Sequence, residues 1–268
     1  MKPFVKPGTL ICLLGGLMAA CSPSAATGLA GLPSVTVGST PSQEPPEAIL
    51  ILAPGSGSKL VGQVHVEGVA ASTFEQTLVL QVVAFVEDEP QILAQQPVMI
   101  EAEMGQRGPF VANVPFLYEG AEEGPGEIRV YATSPRDGGV THLASAQVTL
   151  AASGESDVRP PGTQAERITI TSPEPGAVLR GGTVLVVGVG LASFEQTLVA
   201  EIHDADGNPI GRAPITVAAD DYGVRGPFSI EVAYTAVTAG PGRVVVLDPS
   251  PAFGQTLHLA SVEVRIEP

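Results

Sequence analysis

The sequence predicts an all-β protein built as two β-sandwich domains in tandem, and three observations carry that prediction. The chain repeats itself: Phe74-Glu75-Gln76-Thr77-Leu78-Val79 returns unchanged as Phe194-Glu195-Gln196-Thr197-Leu198-Val199. Arg107-Gly108-Pro109-Phe110 returns as Arg225-Gly226-Pro227-Phe228, Gly124-Pro125-Gly126 as Gly240-Pro241-Gly242, and His142-Leu143-Ala144-Ser145 as His258-Leu259-Ala260-Ser261. The offsets are 120, 118, 116 and 116, which describes a duplicated domain with small insertions between blocks. Repeats of solenoids are far shorter, about 20–50 residues. Second, each copy is a series of short apolar runs punctuated by Gly and Pro, the pattern of a sandwich. Third, no stretch of useful length carries the 3.6-residue stripe of a helix.

The second copy, residues 166–268, shows the runs most clearly. Ile168-Thr169-Ile170-Thr171 alternates, and Pro173-Glu174-Pro175-Gly176 turns the chain. Val184 to Gly188 reads as a buried strand. Leu198 to Ile202 leads into Asp204-Ala205-Asp206-Gly207-Asn208, a hairpin-type turn. Ile215 to Val217, Phe228 to Tyr234, Val244 to Val246 and Val262 to Ile266 complete seven runs. The first copy spans 48–150, and residues 151–165, with Arg159-Pro160-Pro161-Gly162, read as an interdomain linker. Residues 22–47 are rich in Ser, Pro, Gly, Ala and Thr and hold no aromatic residue, which predicts a flexible tether. With the cysteine that precedes it, the tether is residues 21–47.

Residues 1–20 have the form of a secretory signal: Lys2 and Lys6, an apolar stretch from Thr9 to Met18, then Ala19 and Ala20. The run is too short for a spanning helix. Leu17-Met18-Ala19-Ala20-Cys21 resembles the lipobox of bacterial lipoproteins, although Met18 stands where Leu is usual. The resemblance implies that Cys21 is lipidated, with acyl chains such as palmitate, and becomes the first residue of a protein held outside the cytoplasmic membrane. The alternative is an ordinary secretory peptide cleaved near Ala20 that leaves Cys21 a free thiol. Each buried acyl CH₂ contributes about 0.8 kcal/mol, so several chains on one cysteine anchor durably. Inner and outer membranes both remain open, although the absence of Asp after Cys21 does not favour inner-membrane retention.

Composition then excludes several classes. The net charge of −15 becomes −17 once the two lysines of the signal are gone. So acidic a chain is ill suited to nucleic acid, whose phosphates require Lys and Arg. Cys12 leaves with the signal and Cys21 is committed to lipid, so the folded region has no disulfide, no cysteine-based zinc site and no thiol chemistry.

From Ile168 to Gly176, then at Val187-Gly188, Phe194-Glu195, Asp204 to Gly207 and Gly226-Pro227-Phe228, the chain resembles the immunoglobulin-like domain of bacterial spore germination, the second GerMN-associated domain. The first copy departs from it at Leu52-Ala53-Pro54-Gly55 and at Glu87-Asp88-Glu89. The resemblance implies two tandem immunoglobulin-like sandwiches in an envelope or spore-associated protein, with no catalytic activity. The chain lacks the GerMN module itself, so a role in sporulation or germination rests on that family alone.

No metal, cofactor or catalytic constellation is read from the sequence. His142 and His258 occupy equivalent positions and are expected to be polar strand-edge residues. The Asp204–Asn208 segment has the look of a calcium loop but no downstream Glu at the right spacing; a turn and a weak calcium site are both carried forward. The candidate structural or interaction residues are those retained in both copies: Phe74, Glu75, Arg107 and Phe110, with Phe194, Glu195, Arg225 and Phe228. Phe110 and Phe228 are expected in the cores. Each Arg is expected to pair with the Glu of its own copy, Arg107 with Glu75 and Arg225 with Glu195. The function expected is a non-catalytic, lipid-anchored envelope protein that uses an exposed edge strand or the end loops for protein contact or spacing. Its partners are the membrane, through Cys21, and an envelope protein or glycan. The alternative is a carbohydrate- or peptidoglycan-binding lipoprotein, which the absence of Trp and the 4% aromatic content do not favour.

Overall fold

Alternation of inward apolar and outward polar residues writes both copies into the same set of eight strands. The computed structural model describes residues 47–120, 122–162 and 165–268; the signal, Cys21 and the tether up to residue 46 lie outside the described residues. The first copy comprises β1 (Ile49–Ala53), β2 (Lys59–Val61), β3 (Gln63–Ala70), β4 (Thr77–Val86), β5 (Glu89–Met99), β6 (Gly108–Pro115), β7 (Glu123–Thr133) and β8 (Val140–Ala151). The second repeats them as β9 (Ile168–Ser172), β10 (Val178–Leu179), β11 (Thr183–Gly190), β12 (Thr197–His203), β13 (Pro209–Thr216), β14 (Gly226–Ala233), β15 (Gly240–Pro249) and β16 (Thr256–Ile266).

In each copy a three-stranded antiparallel sheet faces a larger one. The small sheets are β1-β3-β6 and β9-β11-β14. The large ones run β5-β4-β7-β8 and β13-β12-β15-β16, each completed by a short parallel strand, β2 on β8 and β10 on β16. In β3, Val64, Val66 and Ala70 point inward while Gln63, His65 and Glu67 stay in solvent, as a period of two requires. Phe110 and Phe228 are buried in the two separate cores, as expected. Each ring lies flat over a glycine of the neighbouring strand: a Cβ on Gly68 would sit 2.1 Å from Phe110 Cζ, and one on Gly188 would sit 2.4 Å from Phe228 Cζ.

The strands β15 and β16 are longer than the apolar runs Val244–Val246 and Val262–Ile266 predict. The extra length of β16 is Thr256–Ser261, which mixes polar and apolar residues, and tertiary pairing explains it. Leu259 pairs with Leu143 and Ala260 with His142, so β16 adds antiparallel to β8. Leu143 and Leu259 are equivalent positions of the two copies. The domains are therefore related by a pseudo-two-fold axis through that pair, and one hydrogen-bonded network of thirteen strands crosses from the first copy into the second.

The segment expected to be a linker is fastened to the first domain. Asp157 exchanges both backbone hydrogen bonds with Lys59 at 2.8 Å, Gly55 N–H donates to Arg159 C=O at 3.0 Å, and Arg159 N–H donates to Ser58 Oγ at 2.9 Å. This leaves it little freedom to let the domains swing.

Candidate functional site: two stapled tips and a polar seam

Two features stand out against the sandwich framework: a loop tip on each domain and the polar seam between the domains. The tip of the first domain is built by Phe74-Glu75-Gln76, between β3 and β4, and by Glu101–Arg107, between β5 and β6. Glu75 and Gln76 both adopt left-handed backbone, at φ 55° and 54°, and Glu195 and Gln196 do the same at 46° and 56°. Non-glycine residues there carry strain of about 1–2 kcal/mol each. The Gln76 side chain offsets it. Its buried amide donates to Glu103 C=O at 2.9 Å and to Ala102 and Gln106 C=O at 3.3 Å, while its Oε1 accepts from Ser72 Oγ at 2.7 Å. Gln196 repeats the staple on Ala219 and Asp221 C=O at 3.1 and 3.2 Å.

The staple turns the neighbouring residue outward. Phe74 is 59% exposed and Phe194 48%, and beside them stand Met104 at 72% and Tyr222 at 74%. Glu103-Met104-Gly105 and Asp221-Tyr222-Gly223 are equivalent trios: an acid, a large apolar residue and a glycine. Gly105 and Gly223 sit at φ 83° and 73°, a conformation that suits glycine and tips the preceding side chain into solvent. Phe74 also lines a groove of about 530 Å³ with Ile49, Ala71, Pro135, Arg136 and His142.

Among the described residues, neither expected Arg–Glu pair forms. Glu75 and Glu195 are carried outward by the left-handed turn, while the arginines lie back along the sandwich. Arg107 donates to Val69 C=O at 3.4 Å, and Arg225 to Thr169 Oγ1 at 3.2 Å. Their electrostatic partners are a second pair of glutamates: Arg107 stabilises the Glu47 anion and Arg225 the Glu166 anion.

Those glutamates belong to the seam. Glu47 and Glu166 precede β1 and β9 at equivalent places, and burial pushes both carboxyls up to about 7 against the pull of the arginines. Their mutual repulsion adds to the shift of Glu166, whose Oε2 accepts the Ala48 N–H at 2.5 Å across the domain boundary. His142 and His258 are half-buried here, at the point where β8 and β16 pair. Burial lowers both imidazoles, His258 to about 3. Arg167 bonds Ser193 Oγ at 3.0 Å, and Ser193 Oγ in turn donates to the buried Asp248 at 2.5 Å.

On the outer face, each domain's last hairpin reaches over the other domain. Asp137, in the β7–β8 loop, accepts on both carboxylate oxygens from Arg243 Nη2 of β15, at 2.8 and 2.9 Å. Arg243 is 1% exposed and also donates to Glu263 at 2.9 Å. Burial opposes ionisation of Asp137, yet Arg243, the Gly139 N–H and Arg136 hold its carboxyl well below the usual range. The equivalent residue of the β15–β16 loop is Phe253, and it stacks on Phe85 with ring centroids 4.3 Å apart. One half of the clasp is ionic and the other aromatic. Nothing in the sequence announced it, since the partners are over 100 residues apart.

Among the described residues, no group of three or more His, Cys, Asp or Glu is placed to hold a metal ion. Asp204 uses its carboxylate locally, accepting the backbone N–H of Asp206 at 3.0 Å and of Asn208 at 2.9 Å, which is turn chemistry.

Two antiparallel sandwiches with immunoglobulin-type strand order define the class of protein. Residues 48–139 and 167–255 match the immunoglobulin-like domain of bacterial spore germination, and the chain belongs to that family, with two copies of its domain. No curated protein matches it. Among solved structures it is similar to bovine butyrophilin at 13% identity and a TM-score of 0.24, over 82% of this chain and 99% of that one.

Proposed function

We propose that the chain is a non-catalytic lipoprotein, anchored through Cys21 in the bacterial cell envelope, that holds two rigidly joined immunoglobulin-like domains outside the membrane for contact with an envelope protein. The observation that carries this reading is the pair of stapled tips, where identical strained turns expose aromatic side chains in both copies. Family membership supports a non-catalytic role and is what supports a part in sporulation or germination. The edges at β5, β13 and β6 are poor contact surfaces, because β5 carries Pro90 and Pro97, β13 carries Pro209 and Pro214, and β6 carries Pro109 and Pro115. Proline cannot donate to an added strand. The end loops are the better surface.

The test has two arms. Labelled palmitate incorporated by the wild type, and lost with release of the protein in Cys21→Ala, supports the anchor; unchanged membrane retention in that variant refutes it. Photo-crosslinking amino acids placed across the surface in intact cells read the second arm: discrete protein adducts support the contact role, and uniform absence of adducts removes it.

A further inference from the structure

The tips invite a sharper statement, one that rests on the reading of this chain as an interaction protein. Each tip combines exposed apolar side chains with exposed carboxylates. Phe74 and Met104 stand among Glu75, Glu101 and Glu103; Phe194 and Tyr222 stand among Glu195, Asp220 and Asp221. Arg107 and Arg225 are half-buried and reach Val69 C=O and Thr169 Oγ1, and Arg136, which lines the groove beside Phe74, is paired with Asp137 and Glu263.

The chemistry has survived where identity has not. Met104 against Tyr222 and Glu103 against Asp221 keep a large apolar group beside an acid in two otherwise diverged copies. Neither core uses these side chains. Paired exposed apolar groups of this kind mark contact sites. Their acidic surround repels nucleic acid and anionic lipid alike and complements a basic surface.

The pseudo-two-fold adds direction. Because β8 and β16 pair antiparallel at equivalent residues near the start of each strand, the tip loops of the two domains point in opposite directions along that strand pair, and Phe74 shares its groove with Ser261 and Glu263 of the second domain.

We propose that the two tips are equivalent docking sites for a basic polypeptide with an apolar hollow, one on each domain, so that a single chain bridges two copies of its partner. Phe74 and Phe194 are the anchors, and Met104 and Tyr222 are the second contacts.

The test selects short random peptides displayed on phage against the mature chain and measures binding of the enriched peptides by calorimetry. Enrichment of peptides with net positive charge and apolar anchors, binding two per chain and weakening as salt is raised, is the expected result. Phe74→Ser with Met104→Ser removes one site, and Phe194→Ser with Tyr222→Ser the other, each by at least about tenfold with an unchanged melting temperature. One peptide per chain, enrichment of acidic peptides, tip-dependent binding to lipid vesicles instead of peptides, or no tip-dependent peptide at all overturns the proposal. Cellular crosslinks from other faces with none from the tips also overturn it, while leaving the envelope-contact reading in place.

Discussion

Removing the Asp137 carboxylate should loosen the whole two-domain body, because it is the one anion that meets Arg243 from across the boundary. Arg243 is 1% exposed and Asp137 2%, and the guanidinium has two further contacts, to Glu263 Oε1 at 2.9 Å and to Val140 C=O at 3.4 Å. Truncating one member of a buried pair costs about 3–5 kcal/mol, since it strands the other charge. Glu263 stays beside Arg243 in Asp137→Ala and is 48% exposed, so water reaches that side and the loss falls at the lower end. A loss of about 3 kcal/mol corresponds to a fall of about 6–12 °C in melting temperature for a protein of this size. Calorimetry of the mature chain reads it directly, with the transition broadening or splitting as the domains unfold separately. Asp137→Leu with Arg243→Met, which removes both charges and keeps apolar volume, should recover much of the loss. A change below about 0.5 kcal/mol in Asp137→Ala, or a double variant whose loss is the sum of the two single ones, refutes the clasp as the device that couples the domains.

Three more outcomes follow from the same geometry. Gln76→Ala should cost about 1–3 kcal/mol by removing the side-chain hydrogen bonds to three carbonyls of the β5–β6 loop, and amide exchange across residues 101–107 should quicken; unchanged protection there would remove the staple. Gly188→Ala places a Cβ 2.2 Å from Thr169 O and 2.4 Å from Phe228 Cζ, so denaturant unfolding should show a loss of at least about 2 kcal/mol, and a neutral result would mean that the ring is free to move. The seam carboxyls set the pH response. Glu47 and Glu166 ionise near 4.5 in the unfolded chain and at about 7 when folded, so the folded state holds more protons between those values and stability falls as pH rises toward and through 7. His258, lowered to about 3, acts oppositely: its contribution is present above 6.5 and is lost as pH falls through the acid range. The two effects offset each other between 4.5 and 6.5, and the decline above that belongs to the glutamates. Glu47→Gln with Glu166→Gln should abolish the drop in melting temperature between about pH 6 and pH 8; a drop that persists would place its origin elsewhere.

Much of the fold was legible because a sandwich strand is a local object. Ile168–Thr171, Val184–Gly188 and Leu198–Ile202 declare themselves through alternation or apolar runs, and the Asp204–Asn208 turn through residues that bond their own backbone. The repeat located both domains, and Phe110 and Phe228 were placed in their cores. The retained Phe-Glu-Gln block was noticed, but its working residue was not. Sequence drew attention to the charged Glu75 and Glu195, whereas the side-chain amides of Gln76, buried, and Gln196, half-buried, hold the tips. The acid–apolar–glycine trio escaped notice because only its chemistry is repeated, and identity is what a repeat search sees.

By itself, the sequence determined the class of fold, its duplication and the two-residue period that sorts each strand into inner and outer faces, because these depend on neighbours a few positions apart. Only the tertiary structure decided that the copies join edge to edge through Leu143 and Leu259, that Asp137 meets Arg243 and Phe85 meets Phe253, and that two matching tips look in opposite directions. Those contacts join residues more than 100 positions apart. No local pattern encodes which of many compatible edges and charges will meet; that choice is made by whole surfaces packing at once.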